Sequence, residues 1–209
     1  ISGEIMDLAV KIVGLYDGDP KGEFSIREIA KRLKGTYSFV YWAVEKLAGE
    51  GVIAVAVKGR AKMCSLNLSN DRAKALLVLH SVSRKEDFLK RNKMVGDILS
   101  EFVKKVAGED VYCIALFGSY AKGSASERSD IDLIVVGASR KRLDRRVGAE
   151  ANSLEARYGK EVNAVVVDKA MFLRSLKSDE VTVVKETVSC HVVLFGYERF
   201  WELVWSGLR

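Results

Sequence analysis

Asp130 and Asp132 stand two residues apart, and on a strand that spacing turns both carboxylates to one side while Ile131 and Leu133 turn to the other. Upstream, the apolar run Val111 to Phe117 ends in Gly118-Ser119, and ten residues separate Ser119 from Asp130. Glycine lets a chain turn sharply and pass close to a ligand. Ser119 offers a hydroxyl and a backbone N–H at what would be a helix start, where anions are favoured. Paired carboxylates opposite a phosphate-binding turn can hold Mg²⁺ ions that bridge to a triphosphate. Gly-Ser alone is ordinarily a plain turn, and lone aspartates are ordinarily solvated loop residues, so the joint spacing carries the reading. Lys122 fits a solvated charge and a phosphate contact equally, and Arg128 reads as surface.

Two blocks of elements must position these groups. Apolar positions Ile5, Leu8, Ile12 and Leu15 predict a helix over 4–16. Ser25 with Glu28 forms a capping box for a second helix whose apolar face is Ile26, Ile29, Ala30 and Leu33. A third helix runs from Thr36 to Ala48 with Phe39, Val40, Ala43, Val44 and Leu47 inward. The β-like run 52–57, the turn Lys58-Gly59-Arg60 and a second strand over 63–68 follow. Three helices and then a hairpin with a basic tip is the order of a winged helix-turn-helix. Residues 71–107 read as helices connecting the blocks. From 111 the pattern becomes strands over 111–117, 131–136, 162–167 and 191–195, alternating with helices over 141–158, most of 171–188 and 198–205, as in a mixed sheet with helices on it. The expected class is α+β, with a winged helix-turn-helix over 1–70, a helical connector over 71–109 and a mixed-sheet domain over 110–209.

The chain has 209 residues, 48% of them hydrophobic, and a single proline, enough for one large or two small cores and against disorder. Three cysteines without a C-x-x-C pair speak against a disulfide framework or a zinc site and for a reducing cytoplasm. No apolar run reaches the ~20 residues that span a bilayer, so no membrane partner is expected. The net charge of +6 favours a polyanionic partner only weakly. His80 reads as an ordinary helix residue and His191 as a satisfied core histidine.

The stretch Leu116-Phe117-Gly118-Ser119-Tyr120-Ala121-Lys122-Gly123, followed by Ser129-Asp130-Ile131-Asp132-Leu133, resembles the DNA polymerase β-like nucleotidyltransferase superfamily, and more closely its minimal nucleotidyltransferase branch. The resemblance covers about 110–200, including Leu194-Phe195-Gly196, and departs from the branch at Lys122, where arginine is usual. It implies catalysis by Asp130 and Asp132, a Mg²⁺ site on the same two residues, and nucleoside triphosphate bound by Gly118, Ser119, Lys122 and Ser129. Such enzymes usually add a third carboxylate on a following strand. The aligned position here holds Asn163, which cannot act as a base. Glu161, two residues earlier and on the same face, is either the substitute catalytic carboxylate or a surface residue at the strand entry.

Residues 24–53 resemble winged-helix regulators. Between 20 and 68 there are nine Lys or Arg against four acids. Lys34, Thr36, Tyr37, Ser38 and Tyr41 around the third helix, with Lys58, Arg60 and Lys62 at the hairpin, are the expected DNA-binding residues. Tyr37, Tyr41 and Trp42 could equally pack against the next domain. Three hypotheses stand: a Mg²⁺-dependent nucleotidyltransferase with an unidentified acceptor, a winged-helix transcription regulator with a degenerate transferase-like sensor or dimerisation domain, in which case a homodimer is expected, and the antitoxin half of a pair with a small helical partner protein.

Overall fold

The computed structural model describes residues 2–208, with side chains from Met6 to Leu208, so the side chain of Ile5 lies outside the described residues. The chain divides after His80 into two compact units.

Among the described residues the first unit holds three helices, the opening turns of a fourth and a three-stranded antiparallel sheet. Helix α1 (Ser2–Gly14) precedes strand β1 (Glu23–Ser25), helices α2 (Ile26–Leu33) and α3 (Tyr37–Gly49), and the hairpin β2 (Ile53–Lys58)–β3 (Ala61–Leu66). The sheet order is β1-β3-β2. The capping box forms as its residue types dictate: the Ser25 N–H donates to Glu28 Oε2 at 2.7 Å, and the Glu28 N–H donates to Ser25 Oγ at 3.2 Å. The Ser25 N–H and then its hydroxyl, both donating to Glu28 Oε2, hold the Glu28 carboxyl below its ordinary pKa. Strand β1 is not expected from sequence; three residues give no period, and pairing of Phe24 with Cys64 makes it a strand. Two apolar faces also shift. On α1 the buried set is Ala9, Ile12 and Val13, with Tyr16 just beyond it, while Leu8 and Leu15 are only half-buried. On α3, Val40, Val44 and Leu47 are buried, but Phe39 is 51% exposed. One helical step of ~100° carries Phe39 off the stripe that 40, 44 and 47 define.

The second unit is built on the four-stranded sheet β6-β5-β4-β7. Its strands are β4 (Val111–Phe117), β5 (Ile131–Gly137), β6 (Val162–Asp168) and β7 (Val192–Phe195). β4 pairs antiparallel with β5 and β7, and β5 pairs parallel with β6. The parallel step needs a crossover, and helix α7 (Arg140–Tyr158) supplies it. Helix α4 (Asp71–Arg91) contains the boundary between the units, and helix α5 (Lys93–Val106) follows it. Ile98, Leu99, Phe102 and Val106 of α5 share one apolar cluster with Ile114, Leu133 and Leu154, so α5 belongs to the core of this unit. The helical stretch after β6 is two helices, α8 (Lys169–Lys177) and α9 (Val183–Ser189), with Thr182 capping the second by accepting from the Lys185 N–H. Helix α10 (Tyr197–Leu208) closes the chain. His191 is buried, its Nδ1 3.0 Å from the Thr187 carbonyl. Cys64, Cys113 and Cys190 are all free thiols; Cys190 caps α9 rather than lying in a strand. Among the described residues no helix is long and apolar enough to cross a membrane.

Candidate functional site

The two central strands bring the proposed chemistry together. β4 ends at Phe117, which pairs with Asp132. The chain then turns through Gly118 at φ +68° into the five-residue helix α6 (Gly118–Lys122). The turn lies directly against Asp132: a Cβ added to Gly118 would sit 2.2 Å from Asp132 Oδ2. Only glycine tolerates both the left-handed backbone and that approach. Asp130 and Asp132 are half-buried while Ile131 and Leu133 are buried, the alternation expected from strand geometry. Burial, then the neighbouring Asp130 and Glu186 charges, hold the Asp132 carboxyl above its ordinary pKa, with Lys122 pulling the other way. A carboxylate so crowded by like charge gains from a cation beside it.

On the adjacent strand Asn163 pairs in register with Asp132. Its side-chain amide donates to Asp130 Oδ2 at 3.5 Å, a long bond, and presents a donor where another carboxylate would add repulsion. Glu161 is exposed, and its carbonyl accepts from the Ile131 N–H at 3.0 Å, which fixes it at the entry to β6 beside the aspartates. Ser119 is half-buried on α6. Ser129 is committed to the loop: its Oγ accepts from the Ser126 N–H at 2.9 Å, and its N–H donates to the Ser126 carbonyl at 3.1 Å. Lys122 is exposed and ion-paired with Glu186 Oε1 at 2.8 Å, which raises its pKa.

Two participants escape a sequence reading. Glu186 lies 64 residues from Lys122 on α9 in no recognisable motif. Lys160 is buried, donates to the Glu127 carbonyl at 2.6 Å and lies 5.5 Å from the Tyr120 ring centroid. It ties down the loop that delivers Asp130. A buried lysine is uncommon enough to signal a specific partner, but only after folding shows it to be buried.

The donor set suits magnesium. Among the described residues no three His, Cys, Asp or Glu side chains gather into a ready-made metal cage. Mg²⁺ bound with substrate phosphates ordinarily takes only one or two protein carboxylates, a number that the Asp130 and Asp132 pair could provide.

In the first unit, a cavity of about 700 Å³ is bordered by Arg27, Tyr37, Tyr41, Lys58, Arg60 and Lys62, gathering five of the eight expected DNA-binding residues. Lys34 adopts the left-handed cap of α2 at φ 53°, and Thr36 is the N-cap of α3; both, like Ser38, are exposed. Lys62 is held by Glu45 at 2.8 Å and Tyr41 at 3.1 Å, and Lys58 by Glu23, so part of the cationic charge is already balanced. Tyr37 is 50% and Trp42 72% exposed.

The second unit is thus a mixed sheet whose central strand ends in a glycine turn against paired carboxylates. Residues 96–194 match the model of the nucleotidyltransferase domain family. The match begins inside α5, in keeping with that helix sharing the second core. A candidate protein adenylyltransferase of Methanocaldococcus jannaschii is 47% identical over 58 residues, 25% of this chain and 40% of that protein. The chain thus spans about two-fifths of the length of that curated relative. Among solved structures, that of a toxin-antitoxin with AMP-PNP is similar at a TM-score of 0.40 and 23% identity, over 54% of this chain and 82% of that one. A candidate nucleotidyltransferase from Sulfolobus solfataricus is similar at a TM-score of 0.26 and 21% identity, over 43% of this chain and 75% of its own.

Proposed function

We propose that residues 81–209 transfer a nucleoside monophosphate, adenylate in the first instance, from a nucleoside triphosphate to a hydroxyl group, and that residues 1–80 are a winged helix that binds DNA. The carrying observation is the Asp132 carboxylate seated on the Gly118 turn with Asp130 two residues away. The name of the archaeal relative favours adenylate as the transferred group and a protein as the acceptor. Asp130 and Asp132 would hold Mg²⁺, which supplies charge neutralisation of the triphosphate. Gly118, Ser119 and Lys122 bind its β- and γ-phosphates. The acceptor oxygen bonds to the α-phosphorus as the bond to the β-phosphate bridge breaks and pyrophosphate departs. Glu161 takes the acceptor's proton, since of the nearby carboxylates it is the one neither assigned to metal nor, like Glu186, ion-paired with Lys122.

The test is incubation with α-labelled ATP, Mg²⁺ and lysate proteins as acceptors. Label should enter protein with the intact chain and vanish with Asp130→Ala and Asp132→Ala. Label that persists in both variants ends the assignment.

For the first unit, support comes from the order helix, strand, helix, helix, hairpin, the β1-β3-β2 sheet and the cations around α3 and the hairpin. Duplex binding should weaken with salt, and Arg60→Ala should lower the slope of log affinity against log salt by about one. A slope of zero for the intact chain would end that half of the proposal.

Asn163 favours a second reading, a regulator whose transferase-like unit senses nucleotide without turnover. Nucleotide binding and salt-dependent DNA binding with no label transfer would select it.

A further inference from the structure

The outward face of α3 is aromatic. Tyr37, Phe39 and Trp42 are exposed and Tyr41 is half-buried, where a helix on a solvated surface carries polar side chains. Three of the rings form an array. Tyr41 lies at its centre, with the Tyr37 ring centroid 6.1 Å away at an interplanar angle of 33° and the Trp42 centroid 6.0 Å away at 82°. Lys62 fixes that centre: its Nζ donates to the Tyr41 hydroxyl at 3.1 Å and to Glu45 Oε1 at 2.8 Å, and lies 4.9 Å from the Tyr41 ring centroid. Tyr37 and Trp42 thus lean on an anchored ring while keeping half or more of their own surface in solvent. Tyr37 and Tyr41 also border the cavity of about 700 Å³ together with Arg27 and Arg60. Both arginines are exposed and make no hydrogen bond or ion pair among the described residues. The nearby acids are committed, Glu23 to Lys58, Glu45 to Lys62 and Glu28 to the cap of α2, so the two guanidiniums stand without counter-charge.

An exposed aromatic array beside uncompensated cations matches the chemistry of a single nucleic-acid strand, whose phosphates meet the cations and whose bases stack on the rings. An apolar protein face would cover the rings but bring nothing to the guanidiniums. A closed duplex would satisfy the arginines but not the rings. Its bases are already stacked, at ~3.4 Å per step along each strand, and show only their edges in the grooves. Tyr37 and Trp42 are five residues apart on α3, ~7.5 Å along the axis, so two bases meet both rings only when splayed apart. We infer that the first unit takes single-stranded DNA, stacking bases on Tyr37 and Trp42 and holding the flanking phosphates with Arg27 and Arg60. This names the form of DNA for the surface proposed above and rests on that DNA-binding reading.

Anisotropy titrations of the full chain against a labelled oligothymidine of about 20 nucleotides, and against a blunt duplex of the same length, test it. The single strand should bind at least ~10-fold more tightly than the duplex. Tyr37→Leu and Trp42→Leu should each weaken single-strand binding ~5-fold or more, the lower end for one lost base–aromatic stack, and Trp42→Phe should restore most of what Trp42→Leu loses. Both positions are exposed, so the variants should fold, and thermal unfolding checks that they do. Fluorescence gives a second readout. The chain has three tryptophans, and Trp201 and Trp205 are buried in the second unit. Quenching of the solvent-exposed emission by the strand therefore reports Trp42 and should vanish in Trp42→Phe. Duplex binding as tight as single-strand binding, or single-strand affinity within about two-fold of the parent in folded Tyr37→Leu and Trp42→Leu, overturns the inference and leaves the DNA-binding reading in place. Binding of neither form ends both.

Discussion

Replacing Gly118 by alanine probes the contact on which the site is built. The substitution carries two costs. Holding an L-residue at φ +68° costs ~1–2 kcal/mol. The new Cβ would lie 2.2 Å from Asp132 Oδ2 and 3.0 Å from its Cγ, so either the carboxylate leaves its rotamer, at ~0.5–1.5 kcal/mol, or the β4–β5 pair is forced apart at higher cost. Gly118→Ala should therefore lose about 1.5–3.5 kcal/mol by the first route and more by the second. Gly123 supplies the control at the opposite end of α6. It has a φ of +72°, and a Cβ there meets no atom within 4 Å, so Gly123→Ala should lose only the backbone share, ~1–2 kcal/mol. Urea denaturation followed in the second unit measures both. Because a displacement of ~1 Å at a catalytic group can cost ~100-fold in rate, Gly118→Ala should also reduce label transfer about that much, with Gly123→Ala far less affected. Equal stability losses in the two variants, together with equal transfer, would show that Asp132 does not depend on the Gly118 approach.

Four further outcomes follow from the same geometry. Asp132 has a folded-state pKa raised first by burial and then by Asp130 and Glu186, so its contribution to stability is fully present below the unfolded pKa and is lost as pH rises through the folded one. Asp132→Asn should accordingly be more stable than the parent at neutral pH and lose that advantage in acid; a pH-independent difference in urea midpoint contradicts this, and Mg²⁺ affinity of the parent should fall as pH drops through the same raised pKa. Glu186→Gln releases Lys122 from its ion pair and removes one repulsion on Asp132, so triphosphate should bind a few-fold more tightly by calorimetry, and weaker binding would instead give Glu186 a direct part in the site. Phe102→Ala should destabilise the second unit by ~3–5 kcal/mol, because Phe102 is fully buried in its core; a loss under 1 kcal/mol would show that α5 is not part of that core. Trp42→Ala should shift stability by less than ~0.5 kcal/mol, as an exposed residue does, yet weaken duplex binding measurably in an anisotropy titration, and unchanged DNA affinity would remove the α3 aromatics from that surface.

Sequence alone determined the features that are local. The Ser25–Glu28 cap, the strand that holds Asp132, the ten-residue spacing from Ser119 to Asp130 and the four strands of the second sheet follow from periods and short motifs. Each depends on neighbours within a few residues. Tertiary structure decided the rest. Strand β1 exists because β3 is there to pair with it. Phe39 is exposed because the phase of α3 is set by what Val40, Val44 and Leu47 pack against. The helix α5, which reads as a connector, is core because its apolar stripe meets Ile114 and Leu133. Glu186 reaches Lys122 across 64 residues, and Arg84 and Arg91 reach the flank of α6 from α4. A periodic pattern says that a face will be buried. It does not say which distant face will cover it, because burial and charge pairing depend on contacts made only when the chain closes on itself.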